Sequence, residues 1–259
     1  MKRLVLLATL LTAVVVGSAP APVAASDAAS SDSAADGDRE LYRVLTIRAA
    51  PGEFAVWLDR CDEIRSAYER RGDAPPFVLR HTQGDQWDLM FIEPWGSYQE
   101  YLDPKRVAKR ESATAEMTLL RRWLDDAPAF REDLFALGPP RAKLETLFAE
   151  NRFYHVEMFH ALPYRKADLL YQRRMENDYL ARTGQRTNTI WVGLFGSDVD
   201  VFTIGFHPDH AAFAAGSTMS EEERDAAARK AGFEGLDHIA PYLRSLITKH
   251  HDTLAVPVD

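Results

Sequence analysis

Two side chains in residues 153–163 could do chemistry together. His155 and Glu157 stand two apart, so on a β-strand they share one face. A histidine and a carboxylate so placed can hydrogen-bond a ligand, share a proton or hold a metal ion. An earlier stretch, residues 41–51, has the same layout 112 positions upstream. Tyr42 matches Tyr154, Val44 matches Val156, Ala49 matches Ala161 and Pro51 matches Pro163. There the chemical pair is replaced by Arg43 and Leu45. Because Tyr42 and Val44 recur, their parity is expected to face covering helices. The other parity, with Arg43 in one copy and His155, Glu157 and Phe159 in the other, is then expected to line a space between two sheets. His81, on a second strand of the first copy, is expected to face the same space. These five residues form the candidate ligand-binding set. Glu157 is expected to find Arg43 or His155 as its partner, since a buried ionised carboxylate without one is costly.

Other chemistry-bearing residues carry less. His207-Pro208-Asp209-His210 reads as a strand end followed by a helix start, and a His-x-x-His pair has no fixed ligand geometry by itself. His250 and His251 read as the C-terminal end of a helix. Cys61 is the single cysteine, so an intrachain disulfide and a multi-thiolate zinc site are both impossible. It falls on an apolar helical stripe and reads as a buried hydrophobe. No glycine-rich dinucleotide loop, phosphate loop or nucleophile elbow occurs. No catalytic residue and no metal site is assigned, and the sequence requires no cofactor.

The elements that must hold these residues follow from spacing. Residues 43–48 suit a strand, and Pro51-Gly52-Glu53 opens a helix carrying Phe54, Trp57, Leu58, Cys61 and Tyr68 at helical intervals. Gly72 stops it. Two strands, 77–82 and 87–93, flank the turn Gln83-Gly84-Asp85. Ser97 caps a short helix, a longer helix spans 105–126, and a last strand spans 133–137. This β-α-β-β-α-β order is the ferredoxin-like split unit. The second copy repeats it: Gly72, Gly84, Asp88 and Ile92 become Gly184, Gly196, Asp200 and Ile204. The spacing then changes across an alanine-rich, acidic stretch at 216–235, read as a surface helix. Ile239, Tyr242, Leu243, Leu246 and Ile247 read as one helical stripe. Residues 253–258 read as the last strand, with Leu254 in the place of Leu134.

Composition frames the rest. With 259 residues, 46% hydrophobic and 27% charged, and a mean hydropathy of −0.30, the chain is that of a soluble protein with ample core. Its net charge of −8 disfavours nucleic acid and anionic membrane surfaces. Lys2 and Arg3 precede an apolar run shorter than the ~20 residues a spanning helix needs, then small residues. Residues 1–25 therefore read as a signal peptide, which places the protein in the periplasm or outside the cell with no membrane insertion once it is removed. N-terminal sequencing should find the mature chain starting between Ser26 and Ala29. Residues 26–40 contain no large apolar run and read as a disordered linker. The domain plan is then unit 1 at 41–138, a connector at 139–152 and unit 2 at 153–259.

The element order and the internal repeat resemble the dimeric α/β-barrel superfamily. This includes antibiotic-biosynthesis-monooxygenase-like and NIPSNAP-like domains and the haem-binding chlorite-dismutase and dye-decolourising-peroxidase groups. The resemblance covers residues 41–258 and rests on no catalytic motif. It implies an α+β fold in which two tandem ferredoxin-like units pair their sheets into a barrel within one chain. It allows a homo-oligomer. Haem enters only through the haem-binding members, whose motifs do not match here residue by residue. Three functions stay open: an exported protein binding a small, partly apolar molecule between the sheets; a cofactor-independent monooxygenase or other oxidoreductase with His155 and Glu157 as acid and base; and an interaction protein with a filled barrel.

Overall fold

In a computed structural model, residues 38–126 and 128–258 are described. The expected signal peptide and all of the expected linker except residues 38–40 lie outside them. Unit 1 comprises β1 (Glu40–Ala49), α1 (Phe54–Arg70), β2 (Phe77–Gln83), β3 (Leu89–Gly96), α2 (Tyr98–Tyr101), α3 (Pro104–Ser112), α4 (Thr114–Asp126) and β4 (Pro128–Gly138). The connector is α5 (Arg141–Glu150). Unit 2 follows as β5 (Phe153–Ala161), α6 (Lys166–Arg182), β6 (Thr189–Phe195), β7 (Val201–His207), α7 (His210–Ala214), α8 (Glu221–Lys230), α9 (Ile239–Arg244) and β8 (Ile247–Pro257). Among the described residues no helix is long and apolar enough to cross a membrane.

The strands close into one barrel in the order β1-β3-β2-β8-β5-β7-β6-β4. Each unit keeps its own four-stranded sheet, and the edges meet across the halves: β2 pairs with β8 and β4 with β6, both antiparallel. Both exposed edges of each sheet are thereby removed within one chain. The duplication is visible in two reciprocal contacts. The hairpin glycines Gly84 and Gly196 both have positive φ, +119° and +100°. A Cβ at Gly84 would lie 2.1 Å from the Asp252 carbonyl oxygen of β8, and one at Gly196 would lie 2.5 Å from the Asp133 carbonyl oxygen of β4. Each unit's hairpin turn thus presses its bare backbone on the other unit's last strand.

The face assignment made from the repeat is inverted. Tyr42, Val44, Tyr154 and Val156 point into the barrel and share one core with Trp191, Phe202, Ile204 and Leu134. Leu45 and Ile47 face outward and pack on Trp57, Cys61 and Ile64 of α1. The reason is symmetry. Inside the barrel the two halves meet each other, so both copies present matching side chains. Outside, each sheet meets its own helix and is free to diverge. The interior is filled rather than hollow: Tyr42 and Trp191 meet at 4.9 Å between ring centroids, and Trp191 stacks on Phe202 at 5.1 Å.

Three element expectations also change. The helix at 105–126 is split into α3 and α4, and β4 begins at Pro128. The stripe through Ile247 ends at Arg244 as α9, and Ile247, His250 and His251 lie on β8. Val44 pairs with Leu134 and Val156 with Thr253, so Thr253, not Leu254, stands where Leu134 does. The expected surface helix is α8, and it buries Ala227 and Ala228 against Met175 and Tyr179 on the far side of α6.

Candidate active site on the helix-covered face of the second sheet

His155 and Glu157 lie beneath α6 on the outer face of the second sheet. β8 places Asp252 directly across from Glu157, and β7 places Thr203 on its other side. His155 Nε2 lies 3.2 Å from Asp252 Oδ1. A carboxylate only accepts, so Nε2 carries the hydrogen and donates it, and Nδ1 keeps the lone pair. The second Asp252 oxygen is 3.0 Å from His250 Nε2. The Thr203 hydroxyl donates to Glu157 Oε2 at 2.9 Å. From α6 the Arg173 guanidinium, 1% exposed, stands 3.6 Å from the same oxygen and pairs with Glu176. Gln172 accepts from Arg173 at 2.7 Å and donates to Glu176 at 3.3 Å. Phe159 lies under Arg173, 4.6 Å from its ring centroid to the guanidinium carbon. Phe213 of α7 closes the end near His155, with ring centroids 5.4 Å apart.

The electrostatics separate these groups by role. Burial alone would lower the His155 pKa, but the Asp252 hydrogen bond and the Glu157 charge outweigh it and hold it above the usual histidine value. The same hydrogen bond holds Asp252 below the ordinary carboxylate range. Burial raises Glu176; Arg173 offsets part of that and the Glu157 charge adds to it. His207, near the same end, is lowered by burial and by the positive charges of Arg186 and His155. A strengthened base and a carboxyl that holds its proton more firmly than usual therefore sit in one network.

The five residues singled out from the sequence do not converge. His155, Glu157 and Phe159 share this site, on the helix side rather than between the sheets. Arg43 occupies the matching face of unit 1, where it pairs with Glu93 at 3.2 Å and with Asp133; it does not reach Glu157. His81 shares the barrel-facing side of β2 with Leu79 and stands edge-on to Trp87 at 5.7 Å. Glu157 finds its partners in Arg173 and Thr203 instead. Arg173, Glu176, Thr203 and Asp252 were missed. For three of them the signal was present: the 112-residue offset turns Leu45, Cys61, Ile64 and Phe91, all buried in the unit 1 core, into Glu157, Arg173, Glu176 and Thr203. A contiguous apolar contact has become a polar network.

His155, Glu157 and Asp252 each offer a donor atom, all within 4.8 Å of one another, a set that could hold a divalent cation. Arg173 already sets a positive charge against Glu157, which is what a cation would supply, so the arrangement reads first as a proton-transfer site. A haem does not fit between this sheet and α6. Phe159, Leu169, Gln172 and Arg173 fill that layer at 0–2% exposure, leaving no slot for a macrocycle.

No protein-family model and no curated protein matches the sequence. Among solved structures, one described as an anthrone oxidase-like protein is similar, with a TM-score of 0.57, 12% identity, and 87% of this chain and 93% of that chain covered. The chain has the ferredoxin-like dimeric α/β-barrel fold, in fused two-unit form. A provisionally named monooxygenase from Fusobacterium nucleatum aligns at a TM-score of 0.48 and 8% identity over 86% of this chain and 94% of that one. The chlorite dismutase from Candidatus Nitrospira defluvii, in complex with imidazole, aligns at 0.42 and 13% over 85% and 92%. Likeness at such identity is one of fold and not of chemistry.

Proposed function

We propose that this protein is an oxidoreductase-type enzyme that binds a small, partly apolar molecule beside His155 and removes an acidic proton from it. The observation that carries the reading is the His155–Asp252 pair, set in a polar network where the duplicate has packed hydrocarbon. Asp252 fixes the imidazole tautomer, leaving Nδ1 to accept the proton, and Asp252 with Glu157 stabilises the imidazolium that results. Glu176 is the carboxyl suited to return a proton. Phe213, packed on the imidazole, supplies the apolar surroundings. The substrate class this fits is a molecule with a methylene or phenol acidified by a neighbouring carbonyl or aromatic ring. Its anion is the electron-rich form that dioxygen oxidises. For a methylene, both hydrogens leave, one oxygen atom enters as a carbonyl and the other ends in water, so substrate and dioxygen balance without a further reductant. The fold likeness to an anthrone oxidase-like protein supports this class.

The test is dioxygen uptake with anthrone as probe, above the rate in buffer alone. The wild-type chain should accelerate uptake, and His155→Ala should lower the rate by on the order of 10²-fold, the usual worth of a positioned base, with unfolding unchanged. Uptake at the buffer rate, or acceleration that survives His155→Ala, would contradict the reading.

A further inference from the structure

The two units differ directly across from His155. In unit 1 its counterpart Arg43 stands between two carboxylates, Asp133 on β4 and Glu93 on β3. In unit 2 Asp252 takes the place of Asp133, whereas Glu93 becomes Gly205, the direct partner of His155 on β7. The carboxylate that orients the ring is kept, and the side chain on its other flank is gone.

Two polar tips converge on the place this leaves. A Cβ on Gly205 would lie 2.8 Å from Asn188 Oδ1, 3.1 Å from His207 Nε2 and 3.7 Å from the His155 Cβ. The φ of Gly205 is not positive, so glycine serves close approach here and not an unusual backbone conformation. Packing does not explain the histidine. Among the described residues His207 Nδ1 is buried without a hydrogen-bond partner, which weakens a fold. In unit 1 the same position holds Trp95. Asn188 is fixed at its backbone by the Asn177 side chain, which accepts from its N–H and donates to its carbonyl oxygen, both at 2.8 Å. Its own amide can turn either the oxygen or the NH₂ toward a ligand. His155, His207 and Asn188 are each part-exposed, so a ligand can reach them. Burial and the positive charges of Arg186 and His155 hold the His207 pKa below the usual histidine value. At neutral pH it is an uncharged imidazole with one N–H to give.

We propose that the substrate's carbonyl oxygen is held over Gly205 by a hydrogen bond from His207 Nε2, with the Asn188 amide beside it. The inference rests on the proton-transfer reading and adds the group that receives the charge. When His155 takes the proton, the C–H bond breaks, its electron pair moves toward the carbonyl, and negative charge appears on the oxygen facing His207. A donor already in place stabilises that charge as it develops. The substrate class narrows to ketones whose acidic carbon is conjugated to the carbonyl.

The experiment has two arms. Equilibrium dialysis without oxygen compares anthrone with dihydroanthracene, which has the same rings and a methylene but no carbonyl. His207→Phe keeps an aromatic ring and removes the donor; Gly205→Ala pushes the two tips apart. Each should lower the ratio of anthrone to dihydroanthracene affinity by about tenfold, the worth of one hydrogen bond, with the wild-type circular dichroism retained. In dioxygen uptake with anthrone, His207→Phe should lower kcat by on the order of 10²-fold, the usual worth of one donor on a developing oxyanion. His207→Gln, which keeps an N–H, should retain most of the rate. An affinity ratio unchanged in His207→Phe, or equal losses of kcat in the Phe and Gln variants, would overturn the proposal. Uptake at the buffer rate in every chain would refute the proton-transfer reading instead; the affinity ratio needs no turnover, and its fall in both variants would still support an oxygen site at His207.

Discussion

At the scale of single residues, the proposed chemistry depends on how Asp252 prepares His155. The titratable groups that act on the imidazole are Asp252 on β8, Glu157 on its own strand, Glu176 on α6 and His207 on β7. Their balance holds the histidine above its ordinary value near 6.5. The imidazole acts as a base only when unprotonated, so the rate should rise with pH and level off at an apparent value above that reference. Asp252→Asn removes the hydrogen bond and charge that most oppose burial and leaves only Glu157 and Glu176 against it, so the limb of the pH–rate profile should move to lower pH while the maximal rate falls. A limb that stays in place would show that Asp252 does not tune the base. Stability has the matching sign. A histidine raised in the folded state contributes stability that is fully present below the unfolded value and is lost as pH rises through the folded one. Asp252, held low, contributes above the unfolded carboxylate value and loses that contribution as pH falls through its folded one.

At the scale of elements, close approach of strands and helices sets what each position tolerates. Gly138, at the end of β4, lies against the Trp191 ring; a Cβ there would come within 2.1 Å of it. Gly138→Ala should therefore cost about 1–3 kcal/mol, the usual range for overpacking a filled core, and lower the melting temperature measurably. An unchanged melting temperature would mean that Gly138 and Trp191 are not in tight contact. Much of this layer was legible in the sequence. Strands ending at Pro51 and Pro163, glycine turns at Gly84 and Gly196, and the caps Ser97 and Asp209 are local signals with local causes; both cap side chains accept a helix N–H as expected. The start of β8 was not legible. Lys249, His250 and His251 have no apolar alternation, and only long-range pairing with β5 makes them a strand. Asp252 was hidden for a related reason: the insertion around α8 shifts the repeat offset, so nothing in the numbering aligned it with Asp133, its counterpart opposite Leu45.

At the scale of the whole molecule, the two halves share a fold and differ in what lies between sheet and helix. The repeat itself was readable, but the face was not. Identity between copies suggests the helix side, whereas it marks the barrel interior, where each half packs on the other. His155 and Glu157 stood out as changes from Arg43 and Leu45, and the same comparison carried into α6 and β7 would have found Arg173, Glu176 and Thr203. The central claim is that unit 2 keeps this polar layer for chemistry at a cost in stability. Replacing a buried ionic cluster wholesale by apolar side chains is often neutral or stabilising by roughly 1–4 kcal/mol. The direct test is the triple variant Glu157→Leu, Arg173→Met and Glu176→Ile, which returns unit 2 to the apolar pattern of Leu45, Cys61 and Ile64. It should melt at or above the wild-type temperature while its dioxygen uptake with anthrone falls to the buffer rate. A triple variant that keeps the wild-type uptake, or that loses stability along with it, would contradict the claim.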